Sequence, residues 1–127
     1  MVEIGLEKEI KIIVDKKDTA KEFGSGELEV LATPKMISLM EEASYKCILP
    51  YLEEGISSVG TLVNVKHLSA TPVGMQVVVK SKVVAVEDRK ITFKVEAYDE
   101  KGIIGEAEHE RFLVKSEKFL SKTYSKL

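Results

Sequence analysis

The sequence predicts an α+β fold in which a curved antiparallel sheet of about five or six strands wraps around one long helix. One segment, Pro34 to about Leu49, carries apolar residues at helical spacing. From Val59 onward the apolar residues recur at every second position instead. The last four extended segments are joined by short links, which favours antiparallel meander pairing. On this reading residues 1–127 form one domain.

Residues 1–14 read as a strand with β-branched content, ending at the polar stretch Asp15 to Asp18. Gly24 to Gly26 reads as a flexible loop, and Glu27 to Leu31 as a short extended run. Thr33-Pro34 marks a helix start. Threonine caps a helix through its side-chain oxygen, proline suits the first helical position, and the residue before a proline prefers extended backbone. Thr33 is therefore expected to be the cap. Along the helix, Met36, Ile37, Leu39, Met40, Ala43, Cys47 and Ile48 share one half of the cylinder. Lys35, Ser38, Glu42, Tyr45 and Lys46 take the other half, and Pro50 and Gly55 stop the helix.

Val59 to Thr71, Met75 to Val86, Ile91 to Tyr98 and Ile103 to Lys115 then read as strands, with tight connections at Glu87 to Arg89 and Asp99 to Gly102. In the first of them Thr61, Val63, Val65 and His67 share a face. In the last, Ala107, His109, Arg111 and Leu113 share a face opposite Glu106, Glu108 and Glu110. The polar tail from Ser116 to Leu127 reads as a short helix or a frayed end. A single sheet leaves one face and an edge strand open, so dimerisation is expected.

Composition excludes several classes of function. Of the 127 residues 44% are hydrophobic and 31% charged, with a formal net charge of −2, so no global positive field attracts nucleic acid or an anionic membrane. A local basic patch remains able to bind an anionic cofactor. Cys47 is the only cysteine, which rules out an internal disulfide and a cysteine-rich zinc site. His67 and His109 alone do not make a metal centre. The charged, alternating N-terminus does not read as a signal peptide, and no apolar run approaches the ~20 residues of a membrane-spanning helix. The expected compartment is the cytoplasm.

A few residues have chemistry to offer. Glu41 lies about 20° from Ile48 and about 40° from Ile37 around the helix, at the edge of the apolar stripe. A carboxylate there is expected to be partly desolvated, which raises its pKa and suits it to base chemistry; the alternative is a glutamate that reaches solvent from the border of the core. His67, among valines on its strand face, suits a general base or a core histidine with one satisfied bond. Thr33 has its capping role, and a hydroxyl at a helix start also orients a water or donates to an oxyanion. Pro34 has no N–H to offer, which leaves the Lys35 and Met36 amides. Gly60 marks a bulge or a close approach of ligand to backbone. The alternating charges of His109-Glu110-Arg111 are usually a solvated or interfacial face, although an arginine there is able to grip a phosphate or carboxylate. Gly24-Ser25-Gly26 lacks the lysine and hydroxyl of a phosphate loop.

Three blocks, Leu31 to Ala43, Ser58 to Met75 and Gly105 to Phe112, resemble in order and separation the fluoroacetyl-CoA thioesterase-like branch of the hot-dog superfamily. The similarity spans roughly residues 18 to 115. The resemblance implies a hot-dog fold and a catalytic set of Thr33, Glu41 and His67. It implies substrate-binding roles for Gly60, whose N–H is expected to contribute to an oxyanion hole, and for Arg111. It further implies a homodimer with active sites at the subunit interface, pairing to a tetramer being left open. CoA enters as part of the substrate, so no separate cofactor and no metal is expected. The specialised enzyme of that branch is known for an aromatic lid; here the corresponding loop, Lys21 to Leu28, has only Phe23. The expected activity is therefore hydrolysis of a small acyl-CoA thioester. His67 serves as base with Glu41 and Thr33 orienting it, or Glu41 attacks and His67 assists the water that resolves the anhydride. A non-catalytic acyl-CoA or small-ligand binding module is the alternative, and a hydratase or dehydratase of the same fold ranks third.

Overall fold

The first element of the computed structural model, which describes residues 1–127, is strand β1 (Glu7–Ile13). It is shorter than the strand expected over residues 1–14. Asp15 then caps a single 3-10 turn, Lys16–Asp18, with reciprocal side-chain bonds. Thr19 caps the short helix α1 (Ala20–Phe23), and Gly24 ends it in the left-handed region at φ 73°. The run 27–31 is not a strand. It pairs with its neighbours through the isolated bridges Thr19–Leu31 and Val30–Pro72; Glu27, Leu28 and Glu29 are exposed and only Leu31 is buried in the core, so the run has no alternating face for a strand to bury.

Helix α2 (Thr33–Ile48) continues into a 3-10 turn, Leu49–Tyr51. It begins one residue earlier than expected. Ala32 holds the extended cap position, with φ −69° and ψ 139° and no side-chain cap, and its carbonyl accepts the Met36 N–H at 3.0 Å. Thr33 is therefore not the cap. It is the first helical residue, and its hydroxyl is free for another partner. The helix face of Met36, Leu39, Met40, Ala43, Cys47 and Ile48 is buried as read from the sequence. It packs on Val77, Val79, Val83, Phe93 and Val95 of the sheet. Ser44 and Ser81 meet inside this interface at 2.8 Å, and Ser44 also donates to the Met40 carbonyl, so the buried hydroxyls are satisfied.

The remaining strands are β2 (Ile56–His67), β3 (Gln76–Glu87), β4 (Lys90–Asp99) and β5 (Gly102–Lys115), and the tail forms helix α3 (Ser116–Tyr124). All five strands pair antiparallel in the order β1-β3-β4-β5-β2. The expected meander holds for β3, β4 and β5 but not for β2. Strand β1 already occupies the free side of β3. The link 68–75 therefore carries the chain across, and β2 pairs with β5 from Ile56–Lys115 to His67–Gly105. Two consequences position the site. Strand β2 is an edge whose outer side has no partner strand. Beside that edge lies the side of α2 that the core leaves uncovered, carrying Thr33, Ile37, Glu41 and Tyr45 at intervals of one turn.

Candidate active site

Thr33 and His67 come together at one end of β2. The Thr33 hydroxyl and His67 Nδ1 lie 2.7 Å apart. His67 sits on the helix-facing side of β2 with Val63 and Val65. Burial pushes its pKa below the ordinary histidine range, against a smaller opposing effect from a backbone bond at Ser69. The imidazole is thus neutral at neutral pH. Its Nε2 is shielded from solvent and has no hydrogen-bond partner. The two residues line a cleft of about 350 Å³ whose other walls include Ala20, Ser25, Val30, Leu31 and Ala70. None of its lining residues is Phe, Tyr or Trp.

Glu41, Gly60 and Arg111 gather farther along the same strand. The β2–β5 register slips between Gly60 and Leu62, so Thr61 is the bulged residue. That bulge shifts the alternation: Thr61 leaves the face on which Val63, Val65 and His67 remain. A methyl group at Gly60 would stand 2.5 Å from Glu41 Oε2 and 3.3 Å from both Arg111 Nη1 and His109 Cε1. Only glycine admits the carboxylate this close to the strand. Glu41 is paired with Arg111, Nη1 to Oε2, at 3.4 Å, and 43% of its side chain remains exposed.

Arg111 is held from several sides. Its Nε donates to Ser58 Oγ at 2.8 Å and its Nη2 to the Ser58 carbonyl at 3.0 Å. The Tyr45 ring stands 6.0 Å from the guanidinium carbon. The reading of 109–111 as a solvated face is corrected here, because Arg111 is 7% exposed and His109 fully buried. Strand alternation explains this: Glu108 and Glu110 face outward, which turns His109 and Arg111 toward the helix. The His109 ring stacks on Phe93 with centroids 5.7 Å apart. Its Nδ1 lies 2.8 Å from the Leu62 carbonyl, which only accepts, so Nδ1 carries the proton. Nε2 then accepts from Arg111 Nη1 at 3.2 Å.

The five residues singled out in the sequence therefore fall into two groups in one chain. Thr33 and Glu41 are about 12 Å apart along the helix axis. Gly60 and His67 are separated by roughly 20 Å of strand. No hydrogen bond joins Thr33 or His67 to Glu41.

Residues 14–117 match the family model described as fluoroacetyl-CoA-specific thioesterase. The chain belongs to that family. The fluoroacetyl-CoA thioesterase of Streptantibioticus cattleyicolor is 42% identical over 98 residues, covering 77% of this chain and 70% of the relative. A solved structure of a fluoroacetyl-CoA thioesterase superposes with a TM-score of 0.94 at 34% identity, covering 100% of this chain and 98% of the other. A thioesterase superfamily member from Thermus thermophilus gives 0.90 at 31%, covering 98% and 93%. A hot-dog-like protein from Thermanaerovibrio acidaminovorans, 21% identical and also at 0.90 over 98% and 92%, shows the shared fold.

As a member of the fluoroacetyl-CoA-specific thioesterase family, the chain has the hot-dog fold read from its sequence and is a thioester hydrolase. Sequence reasoning missed Ser58 and His109, the residues that fix Arg111. The signal for His109 was present in its strand parity with Ala107 and Arg111. Ser58 carried none, because only the register across β2 and β5 brings its hydroxyl and carbonyl to the guanidinium.

Proposed function

We propose that the chain hydrolyses short-chain acyl-CoA thioesters in a site shared by two copies, with Glu41 and Gly60 from one protomer and Thr33 and His67 from its partner. The observation that carries this reading is the separation of the two groups along β2, an edge strand with its outer side free. Antiparallel pairing of two β2 edges about Asn64 sets Val63 against Val65. The bulge then brings Gly60 beside His67, on the helix-facing side of both strands. Each two-fold pair makes two such sites.

The chemistry follows from the groups assembled. With Nδ1 donating to Thr33, His67 Nε2 keeps a free lone pair, which takes a proton from the attacking water once water and substrate are admitted beside it. The oxygen attacks the thioester carbon directly, or attacks an anhydride first formed on Glu41. The Gly60 N–H supports the developing oxyanion. The C–S bond breaks in the direct attack, or earlier as Glu41 forms the anhydride, and the departing CoA thiolate ends with the proton that His67 took from water. The net change is thioester plus water to acid plus thiol. A thiol with a pKa of about 8.5 needs little help to leave. Arg111, largely shielded from solvent, acts through Glu41 rather than on the substrate. The cleft at Thr33 and His67, lined by alanine, valine and leucine side chains together with Ser25 and Ser69 and by no Phe, Tyr or Trp, suits a short acyl group.

Thiol release from a panel of acyl-CoAs tests the reading. The expected result is turnover of short acyl chains, reduced about a hundredfold or more in kcat/KM by either Glu41→Ala or His67→Ala. Tight CoA binding with no thiol released from any member contradicts it and supports a binding module.

A further inference from the structure

We infer that His109 is a positioning residue: a neutral imidazole clamped between the Leu62 carbonyl and Arg111 that aligns the guanidinium with Glu41 and fixes the bulge beneath it. This rests on the thioesterase reading above. The geometry forms one continuous chain. The Leu62 carbonyl, at the far side of the bulge from Gly60, accepts the Nδ1 proton at 2.8 Å. Nε2 receives Arg111 Nη1 at 3.2 Å, and the same Nη1 reaches Glu41 Oε2 at 3.4 Å. Ser58 holds the other two nitrogens of the guanidinium. Stacking on Phe93 prevents the ring from tilting away. The bulge that admits the carboxylate and the cation that pairs with it are thereby tied to one another through a single ring.

The arrangement works in one protonation state only. A second proton on Nε2 replaces an acceptor with a donor facing the Arg111 N–H, and the two cations repel. Arg111 then leaves its place, and Glu41 loses its partner. The charged groups around the ring set how readily this happens. Arg111 on β5 opposes the added proton, as does burial, the larger effect. Glu41 from α2 and Glu110 from β5 favour it, and the Leu62 carbonyl from β2 does so as well. β4 contributes Phe93 and no charge. The balance lies below the ordinary histidine range, so the ring is neutral where the enzyme is expected to work.

His109→Gln and His109→Phe separate positioning from bulk. The glutamine keeps an oxygen to accept from Arg111 and does not titrate. The phenylalanine keeps the stack on Phe93 and removes both hydrogen bonds. In wild type the acid limb of log kcat/KM is expected to approach a slope of two, from His67 and His109. The glutamine variant is expected to stay within a fewfold of wild type at pH 8 with a limb of slope one. The phenylalanine variant is expected to lose tenfold or more in kcat at little change in KM. Nitrogen-15 NMR of histidine in the substrate-free protein is expected to show His109 protonated at Nδ1 alone at neutral pH. An imidazolium, or an Nε2–H tautomer, overturns the inference. So does a folded phenylalanine variant with wild-type kcat and pH profile; if that variant does not fold, the glutamine profile and the NMR tautomer decide. The NMR measurement needs no substrate, so a wild type that releases no thiol counts against the thioesterase reading alone.

Discussion

At Gly60 the absence of a methyl group decides where the Glu41 carboxylate rests. A Cβ there would stand 2.5 Å from Glu41 Oε2, the free end of a flexible side chain that is able to swing aside. Gly60→Ala is therefore expected to lower kcat/KM by about a hundredfold through misplacement, while costing less than about 1.5 kcal/mol in a urea titration. Equal losses in both, or in neither, would show that the glycine does not serve Glu41. Periodicity placed Glu41 at the edge of the apolar stripe and His67 on a valine face, but each position also suited a purely structural role, and it was the family resemblance that singled out Thr33, Glu41 and His67 as a set. The bond between Thr33 and His67 was not legible in the sequence, since a threonine before a proline has a ready local use as a cap. The helix instead starts at Ala32, and the freed hydroxyl reaches a strand 34 residues away.

Among the elements, α2 and β2 carry the candidate site, and their packing explains the contrast between two glycines. Gly105 lies opposite His67 in the β2–β5 register. A methyl group there would meet Met36 Sδ at 2.6 Å and the Lys66 carbonyl at 3.2 Å. Met36 is fully buried and the carbonyl is backbone, so neither yields easily. Gly105→Ala is expected to destabilise the fold by about 1–3 kcal/mol, read from denaturant midpoints; an unchanged midpoint would mean that the helix is not seated against β5 as described. The long helix and the strands after it were read correctly because their periods differ, 3.6 against 2. The place of β2 was not, because strand order depends on which edges are already taken, and β1 takes the edge of β3 that a meander would have used. Gly60 was read as a bulge or as a place where a ligand nears the backbone; the register slip beside it bears out the bulge, and the group that comes close to the strand is the chain's own Glu41 carboxylate.

For the whole molecule, acid sensitivity follows from the two histidines. Burial lowers the pKa of both His67 and His109 in the folded chain. Between the unfolded value of about 6.5 and the lowered folded values, the unfolded chain binds more protons. Stability therefore falls as pH falls through that window and levels off below it. Urea midpoints measured from pH 7.5 downward are expected to show this, with a shallower decline in His109→Gln; a midpoint that rises on acidification through the window would contradict it. The proposed pairing of two chains belongs to the same scale. The family resemblance points to Thr33, Glu41 and His67, and under the proposed function they meet only when two chains pair along an edge strand. Mixing two inactive variants, Glu41→Ala and His67→Ala, under conditions that exchange subunits measures this directly. Each mixed pair has one site with both groups intact, so thiol release is expected to return to about a quarter of wild type at equal mixing. If the exchanged mixture stays as inactive as its parents, the two groups do not meet across a pair of chains.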